Sequence, residues 1–126
     1  MNKIQIGKQE IIHFIGIGGI GMSGLAQIMK TMGFNVQGSD INTNINTDNC
    51  KKLGIKILKG HSKKNILSAT IVVKSSAIKN NNIELSHSKK RKIPTYDRIE
   101  MLANIIDLKK NIIITGSHGK TTTTSL

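Results

Sequence analysis

The stretch IIHFIGIGGIGM, residues 11–22, decides the fold. Ile11, Ile12, Phe14 and Ile15 surround a single histidine, His13, in an apolar run suited to a strand covered on both faces. Gly16, Gly18 and Gly21 follow at once and fit G-x-G-x-x-G. In that pattern the first glycine permits a tight turn, the second lets the backbone approach a pyrophosphate, and the third lets a helix pack on the strand. The start of the helix offers free amides and the positive end of its dipole to phosphates. Asp40 stands at the end of the next strand, where an acidic residue commonly accepts from a ribose hydroxyl. NAD, FAD and UDP-sugars all carry a pyrophosphate, and the loop does not choose among them.

Outward from this loop, short apolar runs alternate with helical stretches, which predicts a Rossmann-like parallel sheet flanked by helices. Met22, Leu25, Ala26, Ile28, Met29 and Met32 recur at helical spacing, and Gly33 closes that helix. Residues 34–38 read as a second strand, ending at Ser39 and Asp40. Thr47 caps a short helix reaching residue 53, stopped by Gly54. Residues 55–58 and 70–74 read as the third and fourth strands, and residues 83–91 as a helix. A brief strand over 93–95 tolerates Pro94 only at an edge or at the strand start. A helix over 97–107 places Ile99, Leu102, Ala103 and Ile106 on one face, and a buried strand is expected over 111–115.

Composition sets the limits. A chain of 126 residues has room for one compact domain and little more. Aromatic residues make up only 2 %, so Ile, Leu, Val and Met must fill the core. No apolar run approaches the roughly 20 residues of a membrane helix, and the polar residues 1–10 do not resemble a signal peptide. Cys50 is the single cysteine, which excludes an internal disulfide, fits a reducing cytoplasm and reads as an ordinary small residue. The net charge of +12 raises the question of nucleic acid. Lys, Asn and Ile are used heavily throughout, however, and the one basic cluster, 89–92, sits at a helix end where cations oppose the dipole. No aromatic residues interleave with it to stack bases, so no specific nucleic-acid partner is expected.

A second glycine loop closes the sequence. Gly116, Ser117, His118, Gly119, Lys120 and Thr121 read G-x-x-G-K-T, shorter than the common P-loop because Ile114 stands where that pattern wants glycine. Backbone amides of such a loop cradle phosphate oxygens, Lys120 neutralises the β/γ charge, and the Thr121 hydroxyl reaches magnesium. Two phosphate loops in one chain imply two nucleotides.

HFIGIGGIGMSGLA at 13–26, GSD at 38–40, GH at 60–61, VVKSSAI at 72–78, DRIEML at 97–102 and TGSHGKTTTT at 115–124 occur together in one order. In that order they resemble the N-terminal part of a Mur ligase family member. Ser117 departs from the family's usual threonine but keeps a hydroxyl, and Asn82-Ile83-Glu84 stands where a proline often precedes the glutamate. The resemblance implies a UDP-sugar-binding domain over 1–107 and, over 108–126, the first strand and P-loop of a central ATP-binding domain, so that the chain reads as a fragment, inactive alone. It implies that Gly16, Gly18, Gly19, Ile20, Gly21, Asp40, Ser75 and Ser76 hold the UDP-sugar. Gly116, Ser117, His118, Gly119, Lys120, Thr121 and Thr122 would then hold ATP, with Lys120 and Thr121 catalytic and Thr121 on Mg2+. The implied reaction is cytoplasmic and belongs to peptidoglycan synthesis. ATP phosphorylates the lactyl carboxylate of UDP-N-acetylmuramate, and the amine of L-alanine displaces the phosphate. A stand-alone nucleotide-binding module and an NAD(P)-dependent oxidoreductase domain are the other readings of the same loops.

Overall fold

The computed structural model describes residues 6–116, with side chains to residue 110. In chain order the elements are β1 (Ile11–Ile15), α1 (Ile20–Thr31), β2 (Asn35–Asp40), α2 (Ile45–Lys52), β3 (Lys56–Lys59) and a 3-10 turn (Lys63–Ile66). β4 (Ile71–Lys74), α3 (Ile83–Lys90), β5 (Thr95–Asp97) and α4 (Arg98–Gly116) complete them. The five strands form one parallel sheet in the order β3-β2-β1-β4-β5. The order reverses between β1 and β4, and the carboxyl ends of these two strands flank the crevice where open α/β sheets take ligands.

Alternation along β1 sends Ile12 and Phe14 to one face and His13 and Ile15 to the other. The larger core joins Ile12 and Phe14 to Met22, Leu25, Ala26 and Met29 of α1, Cys50 of α2, and Met101 and Ile105 of α4. The smaller one gathers Ile15, Ile66, Ala69, Val72 and Leu85 beneath the 3-10 turn and α3. No helix of the described residues is long and apolar enough to cross a membrane.

Local chemistry accounts for most boundaries. α1 ends where Gly33 takes a φ of +98°. α2 begins one turn earlier than expected. Asn44 is its cap, accepting from Thr47 N–H, while Thr47 Oγ1 accepts from Asn44 N–H, a reciprocal box that places Thr47 inside the helix. The brief fifth strand is Thr95–Asp97 rather than 93–95. Pro94 precedes it and serves only as an acceptor, its carbonyl taking the Val72 N–H at 2.9 Å. The strand expected over 111–115 is overturned: those residues continue α4 to Gly116. A short isoleucine run has no period of its own to separate strand from helix, and a strand exists only by pairing. None of the five strands of the sheet pairs with 111–115.

Candidate functional site

Gly16 turns the chain out of β1 with a φ of +82°, and the Gly16 and Ile17 N–H groups both donate to the Ser39 carbonyl, at 2.9 and 3.0 Å. The loop is thereby stapled to the end of β2. Gly18 N–H donates to Asp40 Oδ2 at 2.7 Å, and the Gly18 carbonyl accepts from Asn44 and Asn46 side chains at 3.2 and 2.9 Å. A Cβ at Gly18 would lie 2.7 Å from Asp40 Oδ2. A side chain at the second glycine would therefore collide with the carboxylate that binds its amide.

The next amides are different. Gly19 N–H returns to the Gly16 carbonyl at 3.3 Å, and the helical ladder starts with Ser23 N–H on the Gly19 carbonyl at 2.8 Å. Among the described residues the N–H groups of Ile20, Gly21 and Met22 have no partner. They are the orphan donors of a helix start, with no acidic side chain in the first turn to occupy them. Gly19 and Ile20 are exposed, Ile20 to 84 %. Among the described residues the unpaired backbone donors of the loop are thus those of segment 20–22, one step beyond the second glycine.

Ser75 and Ser76 leave β4 beside this loop, Ser75 Oγ lying 3.6 Å from the position of a Cβ on Gly16. Ser76 lines a cleft of about 400 Å³ with Lys74, Asp97, Arg98, Ile99 and Glu100. Asp97 pairs with Lys74 at 2.8 Å, and Glu100 Oε1 accepts the Asp97 N–H at 2.9 Å at the start of α4. Arg98 reaches across to α1, its Nε 2.9 Å and its Cζ 3.0 Å from where a Cβ on Gly21 would stand. The third glycine makes room for this side chain rather than for helix-on-strand packing. The expected residues Gly16, Gly18, Gly19, Ile20, Gly21, Asp40, Ser75 and Ser76 all belong to this end of the sheet. Asp40 is engaged by Gly18 through Oδ2, and its Oδ1 accepts only a long bond from Asn42 N–H at 3.3 Å. Of the second loop, Gly116 ends α4, and Ser117, His118, Gly119, Lys120, Thr121 and Thr122 lie outside the described residues. No group of three or more His, Cys, Asp or Glu able to hold a metal occurs among the described residues.

Behind the loop lies a buried polar cluster that local spacing did not reveal. Glu84, fully buried on α3, accepts through Oε1 from His13 Nε2 at 2.7 Å and from Ser39 Oγ at 2.6 Å. Through Oε2 it accepts from Asn65 Nδ2 at 2.7 Å and from Ser62 N–H at 3.0 Å, with His61 Nδ1 at 3.3 Å. Burial raises the carboxyl's pKa, but hydrogen bonds from His13, Ser39 and Asn65, with the His13 charge, outweigh it and hold the group at about 2 against an ordinary 4.5. Glu84 fixes the same Ser39 whose carbonyl carries the loop. The available signal was His13 itself, since one polar residue in a fully apolar strand must find a partner. Cys50 is buried, and burial pushes its thiol up despite an opposing hydrogen bond with Gln27, so it offers no nucleophile.

Residues 11–110 match the Mur ligase family, catalytic domain. Over 124 residues the chain is 68 % identical to the UDP-N-acetylmuramate–L-alanine ligase of Pelagibacter ubique, covering 98 % of this chain and 27 % of that one. It is 54 % identical over 117 residues to the ligase of the same name from Rickettsia bellii, covering 93 % and 24 %. The crystal structure of a UDP-N-acetylmuramate–alanine ligase from Thermotoga maritima superposes with a TM-score of 0.75 at 34 % identity, covering 79 % of this chain and 23 % of that one. The chain spans about a quarter of the length of the curated relatives it matches.

Proposed function

The chain belongs to the Mur ligase family, and from that premise we propose that it forms the UDP-sugar-binding part of an ATP-dependent ligase. The ligase joins L-alanine to UDP-N-acetylmuramate through an acyl phosphate, a cytoplasmic step of peptidoglycan synthesis. The observation that carries this reading is the row of unpaired amides at Ile20, Gly21 and Met22, at the switch point of the sheet. Such a row meets a pyrophosphate with donors already in place and with the helix dipole behind them. Ser39, held by Glu84, sets where the loop leaves the sheet, and Asp40 holds it open at Gly18. The names of the relatives supply the choice of UDP-N-acetylmuramate among pyrophosphate ligands.

We assign the UDP-sugar-binding domain to 1–107 and the beginning of the ATP-binding domain to 108–126. Within the latter, Gly116 to Thr122 hold ATP, Lys120 balances charge on the transferred phosphoryl group, and the Thr121 hydroxyl holds Mg2+. These roles rest on the G-x-x-G-K-T pattern. The magnesium supplies charge neutralisation to the phosphoryl group when it is bound.

The test is a calorimetric titration of the chain with UDP-N-acetylmuramate, UDP and NADH. Binding of the two UDP compounds in clear preference to NADH is the expected result. Preference for NADH would overturn the assignment and favour an oxidoreductase domain.

A further inference from the structure

We propose that Arg98 is a side-chain clamp on the pyrophosphate, gripping the phosphate farther from the nucleoside, and that Gly21 is glycine in order to seat its guanidinium. The inference rests on the nucleotide reading above and adds a residue to it.

Three observations converge. Arg98 is half-buried, and its guanidinium has no hydrogen-bond or ion-pair partner among the described residues. Its acidic neighbours are committed elsewhere, Asp97 to Lys74 and Glu100 to the Asp97 amide. It is held 2.9 Å from the Cβ position of Gly21, whose own N–H is one of the unpaired amides. Nitrogen and Cα are only about 1.5 Å apart, so an oxygen that accepts from the Gly21 N–H is within short reach of the guanidinium. A planar fork of donors at that spot suits a phosphate, which it can bind through two parallel hydrogen bonds. Position selects which phosphate. In sheets of this kind the nucleoside lies toward the end of the second strand, here β2, whereas Arg98 follows β5 on the opposite side of β1. The amides of α1 take the phosphate between them, and Arg98 takes the outer one.

The experiment compares UDP with UMP on the chain and on Arg98→Gln and Arg98→Lys, by calorimetry, with urea unfolding alongside. Arg98 bonds to nothing among the described residues, so both variants should keep the unfolding midpoint. Arg98→Gln should weaken UDP by about tenfold to a hundredfold, the range of a lost charge-assisted hydrogen bond, and UMP by less than about threefold. Arg98→Lys should fall between, keeping charge without the fork. UDP affinity unchanged in Arg98→Gln overturns the clamp and leaves the nucleotide reading intact. Equal losses for UMP and UDP overturn the assignment to the outer phosphate. Failure of the unaltered chain to bind UDP overturns the nucleotide reading and the clamp with it. Should Arg98→Gln not fold, the ratio of UDP to UMP losses in Arg98→Lys decides the matter alone.

Discussion

Asp40 Oδ2 accepts the backbone N–H of Gly18 at 2.7 Å, tying the end of β2 to the middle of the loop that follows β1. The contact spans 22 residues and crosses from one strand end to its neighbour. It gives this acidic residue a part in shaping the loop, whose unpaired amides among the described residues are those of Ile20, Gly21 and Met22.

Removing that carboxylate should therefore cost stability as well as affinity. Asp40→Ala leaves a buried amide unpaired and should lower the unfolding free energy by about 1–3 kcal/mol, with weaker UDP binding as the loop loosens. Asp40→Asn keeps an oxygen acceptor and should lose less of both. Urea denaturation with parallel UDP titrations separates the roles. Normal stability with reduced UDP affinity in Asp40→Ala would mean that the residue acts on the ribose alone.

Glycines along the same segment should respond in opposite directions. A Cβ on Gly24, inside α1, meets nothing within 4 Å, so Gly24→Ala should stabilise by roughly 0.5–1 kcal/mol through helix propensity. A Cβ on Gly38 would stand 2.5 Å from Ile17 Cδ1 and 2.9 Å from the Phe14 carbonyl oxygen. Gly38→Ala should destabilise by about 1–3 kcal/mol because backbone cannot step aside. Thermal melts of the two variants check both signs.

The Glu84 carboxyl makes stability depend on acid. Its pKa in the folded chain, about 2, lies below the ordinary 4.5, so the folded state favours the ionised form. The corresponding stabilisation is fully present above about pH 5, declines as pH falls through 4.5, and is gone near pH 2. It amounts to a few kcal/mol, because each tenfold change in proton affinity is worth on the order of 1.4 kcal/mol. Glu84→Gln turns an amide toward donors that need an acceptor, among them Asn65 Nδ2 and Ser62 N–H, and should destabilise at neutral pH by about 3 kcal/mol or more. Unfolding free energies measured from acid to neutral pH should converge for the two proteins at the acid end. A constant gap across that range would show that the ionised Glu84 is not the source.

Lys120 belongs to the proposed second nucleotide site, and its effect should be confined there. In a protein extending this chain to the length of its relatives, Lys120→Ala should reduce ligation by at least about a thousandfold, since charge stabilisation is the main work in phosphoryl transfer. Binding of UDP-N-acetylmuramate should stay unchanged. Coupled ADP release and a binding titration on the same variant measure the two separately, and near-normal ligation would remove Lys120 from the mechanism.

The strand-and-helix alternation, the turn at Gly16, the close of α1 at Gly33 and the position of the first glycine loop were all legible in the sequence. Each depends on residues within a turn or two of one another, where period and backbone freedom act directly. The resemblance of the quoted motifs carried the family as well. Tertiary structure decided what distance in sequence conceals. His13 meets Glu84 across 71 residues, and Arg98 settles on Gly21 from the end of the edge strand β5. Partners of this kind are chosen by where strands and helices pack, and no local spacing encodes that choice. The same reason explains 111–115: an isoleucine run is compatible with strand or helix, and pairing with neighbours, which only the folded chain can supply or withhold, makes the decision.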